Sequence, residues 1–370
     1  MTITLIVLGC GPAKAPASRV YDVQVDAKAS SFSLAAGLYF PKEVEAHAGD
    51  TIRFTAVDRG EIHTVTMGTL VDGAFEALAK VPAGVTWPSL ESLKLPPILL
   101  GSPPAQLGGS AAQPCFLDSG VAPSPEACPK EQQRQEDFTG KQSLFNSGYL
   151  PGAAVFAVRL SDSIRPGTYR YLCLLHGPDM AGRIVVAEKD RTVPSPTDVR
   201  ERSLAELESL VRALQPAVDG APRGLPSATV VAGVLARDVP HTQATVFSPA
   251  EAAARVGETL TWKVFGRHTI SFNAPQDAVG LVIRASDGSW SLNARALVPE
   301  KSSAPPSGAP GGPRTLDSGA WDGKGFRSSG LIVSVAPALF SYAVAFSEPG
   351  TYSYKCLIHP DMEGVVKVGQ

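Results

Sequence analysis

Fourteen residues near the middle of the chain, YRYLCLLHGPDMAG (169–182), return with little change as YSYKCLIHPDMEG (352–364) near its end. The repeated phrase gathers residues that are rare elsewhere in the sequence. Of four Met and six His in 370 residues, Met180, Met362, His176 and His359 fall inside it. The duplication extends upstream. PGTY stands before each Cys (166–169 and 349–352), and FNSGYL (145–150) parallels FRSSGL (326–331). Further back, FPKEVEAHAGDTIRF (40–54) parallels FSPAEAAARVGETLTW (247–262), followed by EIHTV (61–65) and GRHTI (266–270). The same landmarks in the same order predict two copies of one fold. A length of 370 residues suits two domains with insertions.

Each copy reads as antiparallel β-structure. Ile52 and Phe54 point one way in GDTIRF while Thr51 and Arg53 point the other, and Leu260 and Trp262 take the inward role in GETLTW. Tyr169, Tyr171 and Cys173 share one strand face, as do Tyr352, Tyr354 and Cys356. With 35 Gly and 32 Pro marking turns, short repeated strands favour a sandwich. The domains are expected over 18–190 and 223–370, with a linker at 191–222. Within the linker, 195–218 predicts one helix, capped by Thr197 or Ser195, with an apolar stripe of Leu204, Leu207, Val211 and Leu214, and ended by Pro216. The first copy carries an insertion at about 68–143 with Cys115 and Cys128, which in an exported protein would form a disulfide. The second has a shorter counterpart near 273–325, with Trp290 and Trp321.

Charge narrows the partners. Thirty-three basic and 35 acidic residues leave a net charge of −2 with no basic run, so nucleic acid is not an expected partner. The opening MTITLIVLGC is too short to span a bilayer and reads as the end of an export signal, although it lacks a positive n-region. VLGC resembles the lipobox of bacterial lipoproteins. That resemblance implies lipidation of Cys10, a flexible tether after it, and an extracytoplasmic protein anchored to the membrane. A buried first strand with a core Cys is the alternative.

A thiolate, imidazoles and a thioether make a soft donor set, and His₂Cys with a weak axial Met is that of a mononuclear blue-copper centre. The phrase supplies three of these donors: Cys173, His176 and Met180, then Cys356, His359 and Met362. His63 and His268 occupy matching places for the missing imidazole. A Cys–His pair holding zinc, a plain core thiol, and one degenerate site beside one working site stay open.

The arrangement resembles the cupredoxins, whose first His ligand comes from one strand and whose C-x₂-H-x₂₋₄-M loop supplies the rest. The resemblance implies an all-β fold of two tandem Greek-key sandwiches joined by a helical linker. It also implies two type 1 copper ions, one on His63, Cys173, His176 and Met180 and one on His268, Cys356, His359 and Met362. Two departures stand out. Family members commonly carry Asn after the first His; Thr64 and Thr269 stand there, and their hydroxyls are expected to take over its hydrogen bonding near the Cys. The first loop is one residue longer, through Gly177.

Copper enzymes of the laccase type need H-x-H and H-C-H motifs, and nitrite reductases a His directly before the Cys. Leu172 and Lys355 stand there instead, and only His47 and His241, read as surface residues, remain after both quartets. The expectation is an electron carrier that docks redox partners at apolar collars around His176 (Leu174, Leu175, Pro178) or His359 (Leu357, Ile358, Pro360). Copper storage, handling or sensing without electron traffic is the alternative.

Overall fold

The computed structural model describes residues 18–57, 60–80, 112–118, 128–300, 313–334 and 338–370. Cys10, residues 81–111 and 119–127 of the first insertion, and residues 301–312 of the second lie outside these described residues.

The first half is a sandwich of two sheets. One has the strand order Tyr39–Phe40, Val20–Val25, Thr51–Ala56, Val155–Arg159. The other runs Glu43–Ala46, Gly177–Val186, Gly167–Cys173, Thr66–Met67, Leu144–Asn146, Cys115–Leu117. In the second half, one sheet is ordered Leu34–Ala36, Thr242–Ser248, Thr229–Leu235, Thr259–Val264, Phe340–Phe346, Arg314–Trp321. Its companion is Glu251–Arg255, Glu363–Gly369, Gly350–Lys355, Ser271–Phe272, Arg327–Ser328. The architecture is all-β.

The sheets are mixed, not purely antiparallel as the alternation alone suggested. Val20–Val25 runs parallel to Thr51–Ala56, and Thr229–Leu235 runs parallel to Thr259–Val264. Side-chain alternation reports which face a residue takes but not which way its neighbour strand runs.

The alternating residues do fill the cores. Ile52, Phe54, Leu260 and Trp262 are fully buried. Tyr171 packs edge-to-face on Tyr39 and Phe54 with centroids 4.9 and 5.0 Å apart, and Trp262 meets Tyr354 at 5.3 Å in the other half. At the Cys end of Gly167–Cys173 both faces are buried, because the helix Thr69–Leu78 from the insertion lays Val71 and Ala74 over Leu172. Cys115 and Cys128 form a disulfide, with their Cα atoms 5.7 Å apart, at the edge of that sheet.

The linker helix spans Pro196–Gly220. Ser195 caps it: its Oγ accepts from the Asp198 amide, and the Asp198 carboxylate accepts from the Ser195 amide. Pro216 does not end the helix as expected but lies inside it. Interior proline costs about 3 kcal/mol, which the burial of Leu210 and Leu214 against Phe32, Leu34, Leu38 and Phe40 offsets. Leu204, expected on the apolar stripe, is exposed.

The two halves are interlocked. Leu34–Ala36 comes from the first half of the sequence yet pairs antiparallel with Thr242–Ala244 of the second. Gly60 lies so close to the second half that a Cβ there would stand 2.0 Å from the Ile358 carbonyl oxygen. Only glycine permits that approach.

Candidate metal centres

Each half gathers a thiol and two imidazoles. In the first, the donor atoms of His63, Cys173 and His176 lie within 4.8 Å of one another, and in the second those of His268, Cys356 and His359 do. The strands explain the convergence. Cys173 ends one strand, His176 sits in the turn after it, and His63 is held by a bridge to Leu150 on the facing segment. His268 ends the short strand Gly266–His268, paired with Ile332–Ser334. Ring centroids are 5.0 Å apart for His63 and His176, and 5.0 Å for His268 and His359.

Nδ1 of His63 is 4.0 Å from the Cys173 sulfur, and Nδ1 of His359 is 3.4 Å from the Cys356 sulfur. Nδ1 of His176 and of His268 are buried without a hydrogen-bond partner. A buried ring nitrogen left unpaired is costly, and a metal ion accepting its lone pair removes the cost. Met180 and Met362 are buried in the same clusters as Cys173 and Cys356. The thiol and two imidazoles of each half therefore fit a copper ion chemically, with a buried thioether in the same core.

The longer first loop is absorbed locally. The register slips between Leu172 and Cys173, and Cys173 pairs with Gly177, whose left-handed backbone (φ 61°) takes up the extra residue. In the second loop, Met362 donates to the His359 carbonyl and accepts from Cys356, both at 2.9 Å.

Thr64 and Thr269 play one role twice. The Thr64 amide donates to the Cys173 sulfur at 3.4 Å, while its Oγ1 accepts from the Leu174 amide at 2.8 Å. Thr269 does the same for Cys356 (3.3 Å) and Leu357 (2.7 Å). Each threonine thus pins the residue after the Cys and points one N–H at the sulfur.

Electrostatics prepare both thiols for metal. Burial pushes the Cys173 thiol up, yet the imidazoles of His176 and His63 hold it well below the ordinary range. Cys356 is likewise raised by burial and brought well below by His359 and His268. The partner imidazoles differ. Burial opposes charge on His63, but Asp26 and Cys173 raise it well above its usual value. Among the described residues no carboxylate meets His268, and burial lowers it.

Two carboxylates at these centres were not foreseen. Asp26, fully buried with a left-handed backbone (φ 66°), accepts from the amides of Ala27 and Ala36 through Oδ1 and meets His63 Nε2 at 2.8 Å through Oδ2. Nothing in its neighbourhood in the sequence marks it. Glu61 stands between the halves, Oε1 3.4 Å from His359 Nε2 and Oε2 3.9 Å from His176 Nε2. Its signal was present: EIH places an acid two residues before His63, where the second copy has Gly266.

His241, exposed as expected, also packs its ring 5.1 Å from that of His176 and meets Asp179 at 3.3 Å. His47 bonds the Arg191 carbonyl. Of the collars around the loop histidines, Leu175 and Ile358 face the opposite half. Leu357 and Ile358 are buried, and Leu175 packs with Ile62, Tyr149, Val282 and Trp290. Leu174 and Pro178 stay half-buried. His176 and His359 are 8% and 2% exposed.

No family model and no curated protein matches the chain. Solved cupredoxin structures do. The dithionite-reduced auracyanin of Roseiflexus castenholzii is 15% identical, over 46% of this chain and 99% of that one, with a TM-score of 0.23. Auracyanin A of Chloroflexus aurantiacus, a blue copper protein, is 17% identical over 46% of this chain and 100% of its own, at 0.24. The purple cupredoxin of Nitrosopumilus maritimus is 15% identical over 45% and 99%, at 0.20.

Proposed function

We propose that this chain is a copper-binding electron carrier with two mononuclear type 1 centres, His63–Cys173–His176–Met180 and His268–Cys356–His359–Met362. The observation that carries the reading is the thiolate caught between two imidazoles in each half, with one backbone N–H aimed at each sulfur. Copper bound to such a set supplies a one-electron couple with a thiolate charge-transfer colour. The protein's part is to hold the donors rigid. Thr64 and Thr269 fix the Cys, the strands fix His63 and His268, and the packed cores exclude water.

The carrier reading is preferred to an enzyme because the sequence offers no imidazole directly before either Cys to hold a second, open metal. Storage or handling without electron traffic draws on one observation, the burial of His359. Reversible one-electron voltammetry with slow loss of copper to chelators favours the carrier; fast loss without a reversible couple favours storage. Redox partners docking beside His176 or His359 remain part of the proposal, with Leu174 and Pro178 the half-buried residues that a partner would meet. Extracytoplasmic placement, anchored through Cys10, is proposed on the N-terminal sequence and is supported by the Cys115–Cys128 disulfide. No described helix is long and apolar enough to cross a membrane.

Copper stoichiometry with electron paramagnetic resonance tests the reading. Two coppers per chain, two type 1 signals and no type 2 signal are expected; a colourless protein after loading would refute it.

A further inference from the structure

Glu61 has a position that two independent copper centres would not require. It belongs to the first half, yet its carboxylate lies nearer His359 of the second half (3.4 Å) than His176 of its own (3.9 Å). Both contacts are to Nε2, the nitrogen on the far side of each ring from Nδ1. In His359 that Nδ1 faces the Cys sulfur, and in His176 it is buried and unpaired. Glu61 is only 13% exposed and follows Gly60, which stands against Ile358 of the second half. On its open side it lines a crevice of about 370 Å³ between the halves, with Asp238, His241 and Arg267.

We infer that Glu61 is a positioning residue shared by both centres, coupling them so that the state of one is felt at the other. The inference rests on the two-centre reading above. An imidazole that binds a cation through Nδ1 becomes a stronger donor at Nε2, and one carboxylate then serves two competing donors. Its negative charge also favours the more oxidised, more positive form of each centre. At a partly buried position such interactions are not screened away as they would be in water. Drawing the carboxylate toward one ring weakens its hold on the other. The coupling is therefore anticooperative.

The test uses the full-length protein in five forms: wild type, Cys173→Ser, Cys356→Ser, Glu61→Gln and the Glu61→Gln/Cys356→Ser double variant. Midpoint potentials are followed at each centre, with copper affinity measured by competition. The first centre is expected to bind copper about fivefold or more tightly in Cys356→Ser, whose second centre is empty, than in wild type with the second centre filled, the lower end of a typical coupling. Glu61→Gln is expected to raise both potentials and shrink that dependence. A second centre whose potential is unchanged by Glu61→Gln overturns the inference. So does indifference of each centre to the filling of the other, a comparison that needs no Glu61 variant. Absence of a one-electron signal from every form would instead sink the two-centre reading, and the inference with it.

Discussion

Nε2 of His63 lies 2.8 Å from Oδ2 of Asp26, and neither side chain reaches solvent to more than 1%. This contact fixes the ring so that Nδ1 is the nitrogen turned toward Cys173. Asp26→Asn puts an amide donor against Nε2 and favours the tautomer protonated at Nδ1, blocking the metal-facing nitrogen. Copper affinity at the first centre is expected to fall about 10–100-fold, with the second centre unchanged. A competition titration resolving the two centres checks it; an equal loss at both would contradict the assignment.

The same carboxylate sets the two centres apart in potential. Among the described residues, Asp26 and Glu61 both stand behind the first, and Glu61 alone behind the second. Negative charge favours the oxidised form, so the first centre is expected to have the lower midpoint potential. Spectroelectrochemistry on the loaded protein measures both; the reverse order would count against the electrostatic argument.

Cys356→Ser removes the thiolate on which the second centre's colour depends. Serine is smaller and of the same shape, so the fold should survive. About half of the blue absorption is expected to vanish while circular dichroism stays unchanged; undiminished colour would place the copper elsewhere.

Thr269→Val keeps the shape of the side chain but deletes the acceptor for the buried Leu357 amide. An unsatisfied buried donor costs about 1–3 kcal/mol, which urea unfolding of the metal-free protein can read. Thr64→Val deletes the acceptor of the Leu174 amide at a half-buried residue, so its cost should be smaller than that of Thr269→Val.

At the metal-free second centre, pH acts on stability through the pair Cys356 and His359. Burial opposes charge on His359, but Cys356 and Glu61 lift it from 6.5 to about 10. Its contribution is full below 6.5 and is lost as pH climbs through about 10. Cys356 lies well below its ordinary 9.0, so its contribution is full above 9.0 and is lost as pH falls through the lowered value. Between about 6.5 and 9 the unfolded chain keeps the thiol proton and has shed the imidazole proton, while the folded pair does the opposite. The proton counts match, and stability should be flat there and decline on either side. Urea midpoints against pH, compared with Cys356→Ser, test the shape: the serine variant should lose the acid-side decline attached to this pair.

Much of each centre was legible because its chemistry is written in rare residues at fixed spacing. Cys, His and Met on one loop, and a His just past a recognisable strand, needed no structure to pair them. Thr64 and Thr269 were readable for the same reason, since each adjoins its His. Strand direction was not legible, because alternation is identical in parallel and antiparallel pairs. The place of Pro216 inside the helix was not legible either, because the packing of Leu210 and Leu214 overrides the local backbone preference. Asp26 and the contacts of Glu61 with His359 depend on how distant segments meet. No local pattern encodes that meeting.

The Leu34–Ala36 strand bears on any attempt to divide the molecule. Cutting the chain at the linker helix would leave Thr242–Ser248 as an open sheet edge, its amides and carbonyls free to recruit another chain. It would also strip Phe32, Leu34 and Leu38 of the cover that Leu210 and Leu214 give them. The amino-terminal piece would carry a loose, sticky ribbon and the carboxy-terminal piece a raw border. The two sandwiches are thus stitched together, and a fragment meant to isolate the second centre would have to bring that borrowed strand along.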